Sequence, residues 1–228
     1  MEGWQKAGFG SEAEWLRHLQ EELPAFVPFL TEQCRLQFRG RILEIGAGAA
    51  WFSAGLSKLP NVVEITATDV SPRLLKEQAP RVFKLLKARA DKIIRMPADF
   101  HRLDFTGNHF DYVVCSALLH RGVNVTQVLR EAKRVLKPGG QFVAIREPVK
   151  PLVKFKLRSR TRSRLIAAER AEPFYTLAEY KDFFARAGFD LDVRRVNLSS
   201  GLKFYFDQMV NGLTHARYVF IGTKRGRA

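Results

Sequence analysis

The period of the apolar positions changes repeatedly along the chain, and each change marks an element. In residues 11–23 (SEAEWLRHLQEEL), Trp15, Leu16, Leu19 and Leu23 fall on one helical face behind Ser11, whose hydroxyl suits a helix cap. Pro24 and Pro28 end that pattern. Ile42, Leu43 and Ile45 are too few for a helix and predict a short buried strand, interrupted only by Glu44. Gly46 and Gly48 follow, and from Ala49 to Leu59 apolar residues return at helical spacing. Residues 62–69 (VVEITATD) predict a second buried strand ending in an acid. A helix is expected from Ser71 to about Ala90, with Pro72 at its first position. IIRMP (93–97) is a weaker third strand and FDYVVCSAL (110–118) a strong fourth. The next helix, Val125 to Leu136, is expected to stop at Lys137-Pro138-Gly139-Gly140, before a fifth strand, QFVAIRE (141–147).

Past Pro148 the chain becomes basic and less apolar until Pro173. YTLAEYKDFFARAGF (175–189) then pairs Thr176 with Glu179 as a capping box and stops at Gly188. LDVRRVNL (191–198) and ARYVFIGTK (216–224) read as two last strands around a phenylalanine-rich stretch. In that stretch Phe204, Tyr205 and Phe206 suit an acceptor pocket, a dimer contact or core equally. Five strands separated by helices, followed by a strand pair, predict an α/β fold. Its sheet should be doubly wound, mostly parallel and seven-stranded. The expected layout is a single domain, with an N-terminal helical extension (1–39), a core (40–148), a basic insertion (149–172) and a C-terminal helix with a strand pair (173–228).

With 228 residues, 46% of them hydrophobic, the chain suffices for one sizeable domain. Cys34 and Cys115 are its only cysteines, which argues against a disulfide framework and for a reducing compartment. No leader-like start or membrane-length apolar run is visible, so a cytoplasmic protein is expected. Five scattered histidines and two distant cysteines show no metal-ligand spacing. The formal charge of +15 and pI near 10.2 suggest an anionic partner without naming one.

The candidate chemistry begins at RILEIGAGAAWFS (41–53), where two glycines on a strand-to-helix turn permit positive φ and close approach of a ligand. A nicotinamide-dinucleotide turn would place its third glycine or alanine at Trp51, whose ring would hold the helix off the strand. Glu44 inside the strand also points away from that reading. Four features occur in order: Glu44-x-Gly46-x-Gly48; Asp69, 23 residues after Gly46; Ala98-Asp99-Phe100; and FDYVVCSALLH with LKPGG. This set resembles the class I S-adenosylmethionine-dependent methyltransferases of small-molecule type, well over residues 40–147 and loosely over 173–224. The family's third glycine is Ala50 here.

The resemblance implies S-adenosylmethionine as cofactor, held by Glu44, Gly46, Gly48, Asp69, Val70, Asp99, Phe100 and Ser116. Asp69 would accept from the ribose hydroxyls, Asp99 would face the adenine amine, and the backbone after it would meet the ring. It also implies methyl transfer by in-line displacement, in which positioning is worth roughly 7–11 kcal/mol. His120 and Glu147, after strands four and five, are the candidates for the acceptor side. Plainer roles are a carbonyl bond for His120, and an Arg146 pairing or a loop cap for Glu147. His101, His109, His18 and Tyr175 rank lower. The leading expectation is a small, anionic acceptor. An RNA or protein methyltransferase is the alternative, which the charge permits but no RNA-binding module supports. A non-catalytic S-adenosylmethionine-binding protein is the second alternative. In residues 150–172, Arg158, Arg160, Arg162 and Arg164 would line one face of a strand, as a solvated surface or as a closure over an anionic acceptor. Trp4, Phe9, Trp15, Phe26 and Phe29 would cover the site or fill the core, and core packing is preferred for Trp15.

Overall fold

The computed structural model describes residues 10–21, 23–121, 124–150, 175–196 and 217–226. Its elements follow the hydrophobic pattern. Helix α1 (Glu12–Glu21) starts at Ser11, whose Oγ accepts from the Glu14 N–H at 3.1 Å. A run of short helical turns, Leu23–Ala25, Phe26–Pro28 and Phe29–Gln33, leads toward β1 (Gly40–Ile45). Helix α2 (Trp51–Leu56), β2 (Val62–Asp69), helix α3 (Ala79–Leu85) and β3 (Ile93–Pro97) complete the first half. The second half comprises β4 (Phe110–Ser116), α4 (Val125–Val135), β5 (Leu136–Ile145), α5 (Leu177–Ala187), β6 (Asp190–Val196) and β7 (Arg217–Thr223).

The seven strands form one sheet in the order β3-β2-β1-β4-β5-β7-β6. All neighbours pair in parallel except the β5–β7 and β6–β7 pairs, so β7 alone runs against the rest. Successive residues of β1 serve opposite faces. Ile42 joins the core beneath α1, α2 and α3, whereas Leu43 and Ile45 join the core beneath α4 and α5. Trp15, Phe26 and Phe29 are buried in the first of these cores. The strand order reverses between β1 and β4, and the crevice at their C-terminal ends is where open α/β sheets bind ligands.

Several expected boundaries move. The helix expected to reach Ala90 ends at Leu85, because Lys87 turns left-handed (φ 52°) and the Ala88 N–H closes back on the Phe83 carbonyl at 2.9 Å. Its first part, Leu74–Gln78, is a π-helical turn, a register that accommodates the missing N–H of Pro80 inside the helix. The Lys-Pro-Gly-Gly stretch does not separate α4 from β5, because β5 already begins at Leu136. Leu136 pairs with Phe110 across a bulge, Lys137 forks onto Asp111, and Gly139 and Gly140 exchange backbone bonds with Lys224. Strand β4 ends at Ser116, two residues early, where Ala117 turns left-handed. Helix α5 has the expected capping box of Thr176 with Glu179 and stops at Gly188 (φ 76°). Residues 151–174 and 197–216, and with them Arg158, Arg160, Arg162, Arg164, Phe204, Tyr205 and Phe206, lie outside the described residues, as do Trp4 and Phe9. Among the described residues, no helix is long and apolar enough to cross a membrane.

Candidate active site

The turn after β1 is shaped by three left-handed residues, Gly46 (φ 62°), Gly48 (φ 55°) and Ala50 (φ 54°). Ala50 occupies the position of the family's third glycine, and alanine there adopts a backbone that glycine takes more readily. A Cβ on Gly46 would lie 2.4 Å from Leu118 Cδ1, whereas one on Gly48 would meet nothing within 4 Å. Gly46 is therefore required by packing, and Gly48 has no such neighbour among the described residues. Asp69, at the end of β2, ties the turn down. Its Oδ2 accepts from the Gly48 N–H and its Oδ1 from the Ser71 N–H, both at 2.8 Å. Val70 beside it is 63% exposed, unusual for an apolar residue next to a crevice.

Glu44 is 1% exposed and accepts on Oε2 from both the backbone N–H and the hydroxyl of Ser53 in α2. Burial outweighs those two bonds and, with Asp69 nearby, lifts its carboxyl to about 7. After β3, Asp99 accepts on Oδ1 from the backbone N–H (2.8 Å) and Nδ1 (3.1 Å) of His101. The backbone bond from His101 is the main cause that holds the Asp99 carboxyl below its usual range. Phe100 is half-buried against the α4 side of the core and touches the His101 ring.

The ends of β4 and β5 are built differently. Glu147 is 4% exposed and caps the turn Leu119–Arg121. Its Oε1 accepts from the N–H groups of Leu118 (2.8 Å) and Leu119 (3.0 Å). Its Oε2 accepts from the N–H (3.3 Å) and Nδ1 (3.0 Å) of His120, itself 3% exposed. A carboxylate on Nδ1 places the imidazole proton there, so Nε2 carries the lone pair. In keeping with that, Nε2 accepts from Arg121 Nε at 3.4 Å. Cys115 approaches Glu147 at 3.9 Å, and burial pushes its thiol well above the ordinary range, as expected of an unreactive core residue. The Ser116 hydroxyl is buried without a hydrogen-bond partner among the described residues.

Residues 43–144 match the family model for a methyltransferase domain. Over those residues the chain is similar to the class I S-adenosylmethionine-dependent methyltransferases. It is 30% identical over 118 residues to the ubiquinone/menaquinone biosynthesis C-methyltransferase UbiE of Pseudomonas fluorescens, a match covering 51% of this chain and 45% of that protein. It is 31% identical over 113 residues to the reducing polyketide synthase Preu2 of Preussia isomera, covering 50% of this chain and 5% of the synthase. The chain thus spans less than half the length of these relatives. In fold it resembles a chain from the complex of the Haloferax volcanii Trm112 methyltransferase activator with a methyltransferase (TM-score 0.69, 16% identity, 98% of each chain covered).

The residues at this site fit S-adenosylmethionine, the cofactor of those enzymes. The exposed Val70, the Ser116 hydroxyl with no partner among the described residues, and the glycine turn at Gly48 lie at or just past the C-terminal ends of β2, β4 and β1, the ends at which open α/β sheets bind ligands. Of the positions anticipated from the sequence, Gly46, Gly48, Asp69 and Glu44 form one connected group, and His120 with Glu147 a second. Asp99 and Phe100 stand apart from both, on the loop after β3. Three features of the site escaped sequence reasoning: Ser53 as the partner of Glu44, Leu118 as the contact of Gly46, and the left-handed turns at Ala117 and Arg146 that end β4 and β5. A serine nine residues after a buried acid, on the facing helix, is the one signal that was available.

Proposed function

We propose that this chain methylates a small acceptor whose reacting atom first gives up a proton to Nε2 of His120. The observation that carries this reading is the buried Glu147–His120 pair at the crevice, 3.0 Å apart and directed through Nδ1. S-adenosylmethionine, when bound, supplies an electrophilic methyl group on sulfur. Everything else falls to the chain. Asp69 holds the ribose hydroxyls through its remaining lone pairs, Val70 covers the base, and Ser116 takes a hydrogen bond from or gives one to the ligand. His120 receives the acceptor's proton in place of Arg121, and Glu147 stabilises the resulting imidazolium while fixing the ring's orientation. In-line alignment of acceptor and methyl group is supported by the position of the two groups at the C-terminal ends of the neighbouring strands β1 and β4. A carbon acceptor fits this arrangement best, since a carbon nucleophile has to be made by deprotonation. The C-methyltransferase among the relatives supports the same choice.

The test is transfer of labelled methyl groups to a panel of small carbon, oxygen and nitrogen acceptors, with RNA and protein acceptors alongside. Turnover is expected on a carbon acid. His120→Asn, which keeps an N–H for Glu147, is expected to lower kcat by roughly 10²–10⁴-fold with donor affinity unchanged. Full activity of that variant, or turnover on RNA or protein alone, would contradict the proposal.

A further inference from the structure

We propose that the cleft between α3 and β3 is a binding site for a small amphipathic carboxylate, separate from the donor and proton-handling regions. The cleft has a volume of about 360 Å³, within the range of small-molecule sites. Its floor is apolar, formed by Pro80, Phe83 and Ile93, and its rim is cationic, formed by Lys84, Lys87 and Arg95. No acid contributes to the lining. The nearby acids are already engaged, Asp91 by Arg89 and Glu77 by Arg73. Arg95 is fixed in place, with Nη1 donating to the Leu75 carbonyl at 2.9 Å and the guanidinium 5.7 Å from the centre of the Phe83 ring. Nε and Nη2 remain without a partner among the described residues, an arrangement suited to a carboxylate fork.

Like-charged groups gathered over an apolar floor raise one another's energy, and an anionic head with an apolar tail relieves the repulsion and covers the apolar lining still open at Pro80, Ala88 and Ala90. A bare inorganic anion would leave Pro80, Ala88 and Ala90 uncovered, and a neutral amphiphile would leave the cations unmatched. The required ligand therefore carries both parts. Ile93 opens β3, so the cleft lies toward the N-terminal ends of the strands, away from Gly46, Asp69 and Glu147 at the C-terminal ends.

The experiment is an amide NMR titration of the full chain with hexanoate, and in parallel with hexanamide and acetate. Hexanoate is expected to shift Phe83, Lys87, Ile93 and Arg95 saturably, at least ten-fold more tightly than either comparison compound. Arg95→Lys, which keeps the charge and loses the fork, should weaken hexanoate several-fold. Lys84→Gln with Lys87→Gln should weaken it ten-fold or more, with affinity for S-adenosylhomocysteine as parent. Equal responses to hexanoate and acetate would show a general anion surface and overturn the proposal, as would equal responses to hexanoate and hexanamide. The comparison of probes on the parent protein stands even if a variant fails to fold.

Discussion

The ends of β1 and β2 and the ends of β4 and β5 both carry buried or half-buried acids, yet the two regions satisfy them in opposite ways. At the first, Asp69 gives each oxygen one backbone N–H, and Glu44 relies on a single serine, which leaves its carboxyl raised to about 7. At the second, Glu147 receives three backbone N–H groups and an imidazole. The first region is made largely of backbone and spare acceptors, which suits a large ligand with hydroxyls. The second is closed on itself except through His120, which suits the movement of one proton. The regions meet where Gly46 packs on Leu118, so the shape of the glycine turn bears directly on the turn that holds His120.

The contrast between Glu44 and Glu147 is sharpened first by pH. Folded Glu44, near 7 against 4.5 when unfolded, binds more protons in the native state between those values. Stability should therefore fall as pH rises from about 4.5 to about 7 and level off above, a cost on the order of 3 kcal/mol. Glu44→Gln still accepts from Ser53, so its melting temperature should gain on the parent's across that window. A gap that stays constant with pH would place Glu44 among the well-satisfied acids. Next, Gly46→Ala should be less stable than Gly48→Ala by about 1–3 kcal/mol in chemical denaturation, because both are left-handed but only the first collides with Leu118. Equal losses would uncouple the two regions. Smallest is Asp69→Ala, expected to weaken S-adenosylhomocysteine by about 1–3 kcal/mol in calorimetry while the His120 turn keeps its parent spectrum.

The order of strands and the positions of the candidate residues were legible because period-2 and period-3.6 patterns and capping residues are local. Thr176 with Glu179, and Ser11, show this most clearly. Boundaries failed where a long-range bond overrode a local breaker, as when Lys137 met Asp111 and Gly140 paired with Lys224. The site was legible as a set of residue types and not as a set of partnerships. Nothing adjacent to Glu147 in sequence reveals that its donors lie 27 to 29 residues earlier. Of the two plainer roles expected of Glu147, the loop cap is the one seen, over the turn that holds His120, whose Nδ1 meets that same carboxylate. Arg146 instead reaches over the Trp51 ring, 5.9 Å from its centre, from a left-handed position that faces the first region.

The division of labour between the two regions rests on the imidazole of His120. Nitrogen NMR of the histidine-labelled chain, at a pH where the ring is neutral, reads its tautomer directly. The prediction is a protonated Nδ1 and a bare Nε2 for His120, with that preference weakened in Glu147→Gln and untouched in Asp69→Ala. A proton on Nε2, or a tautomer indifferent to Glu147→Gln, would mean that His120 lacks the lone pair the proposed chemistry needs.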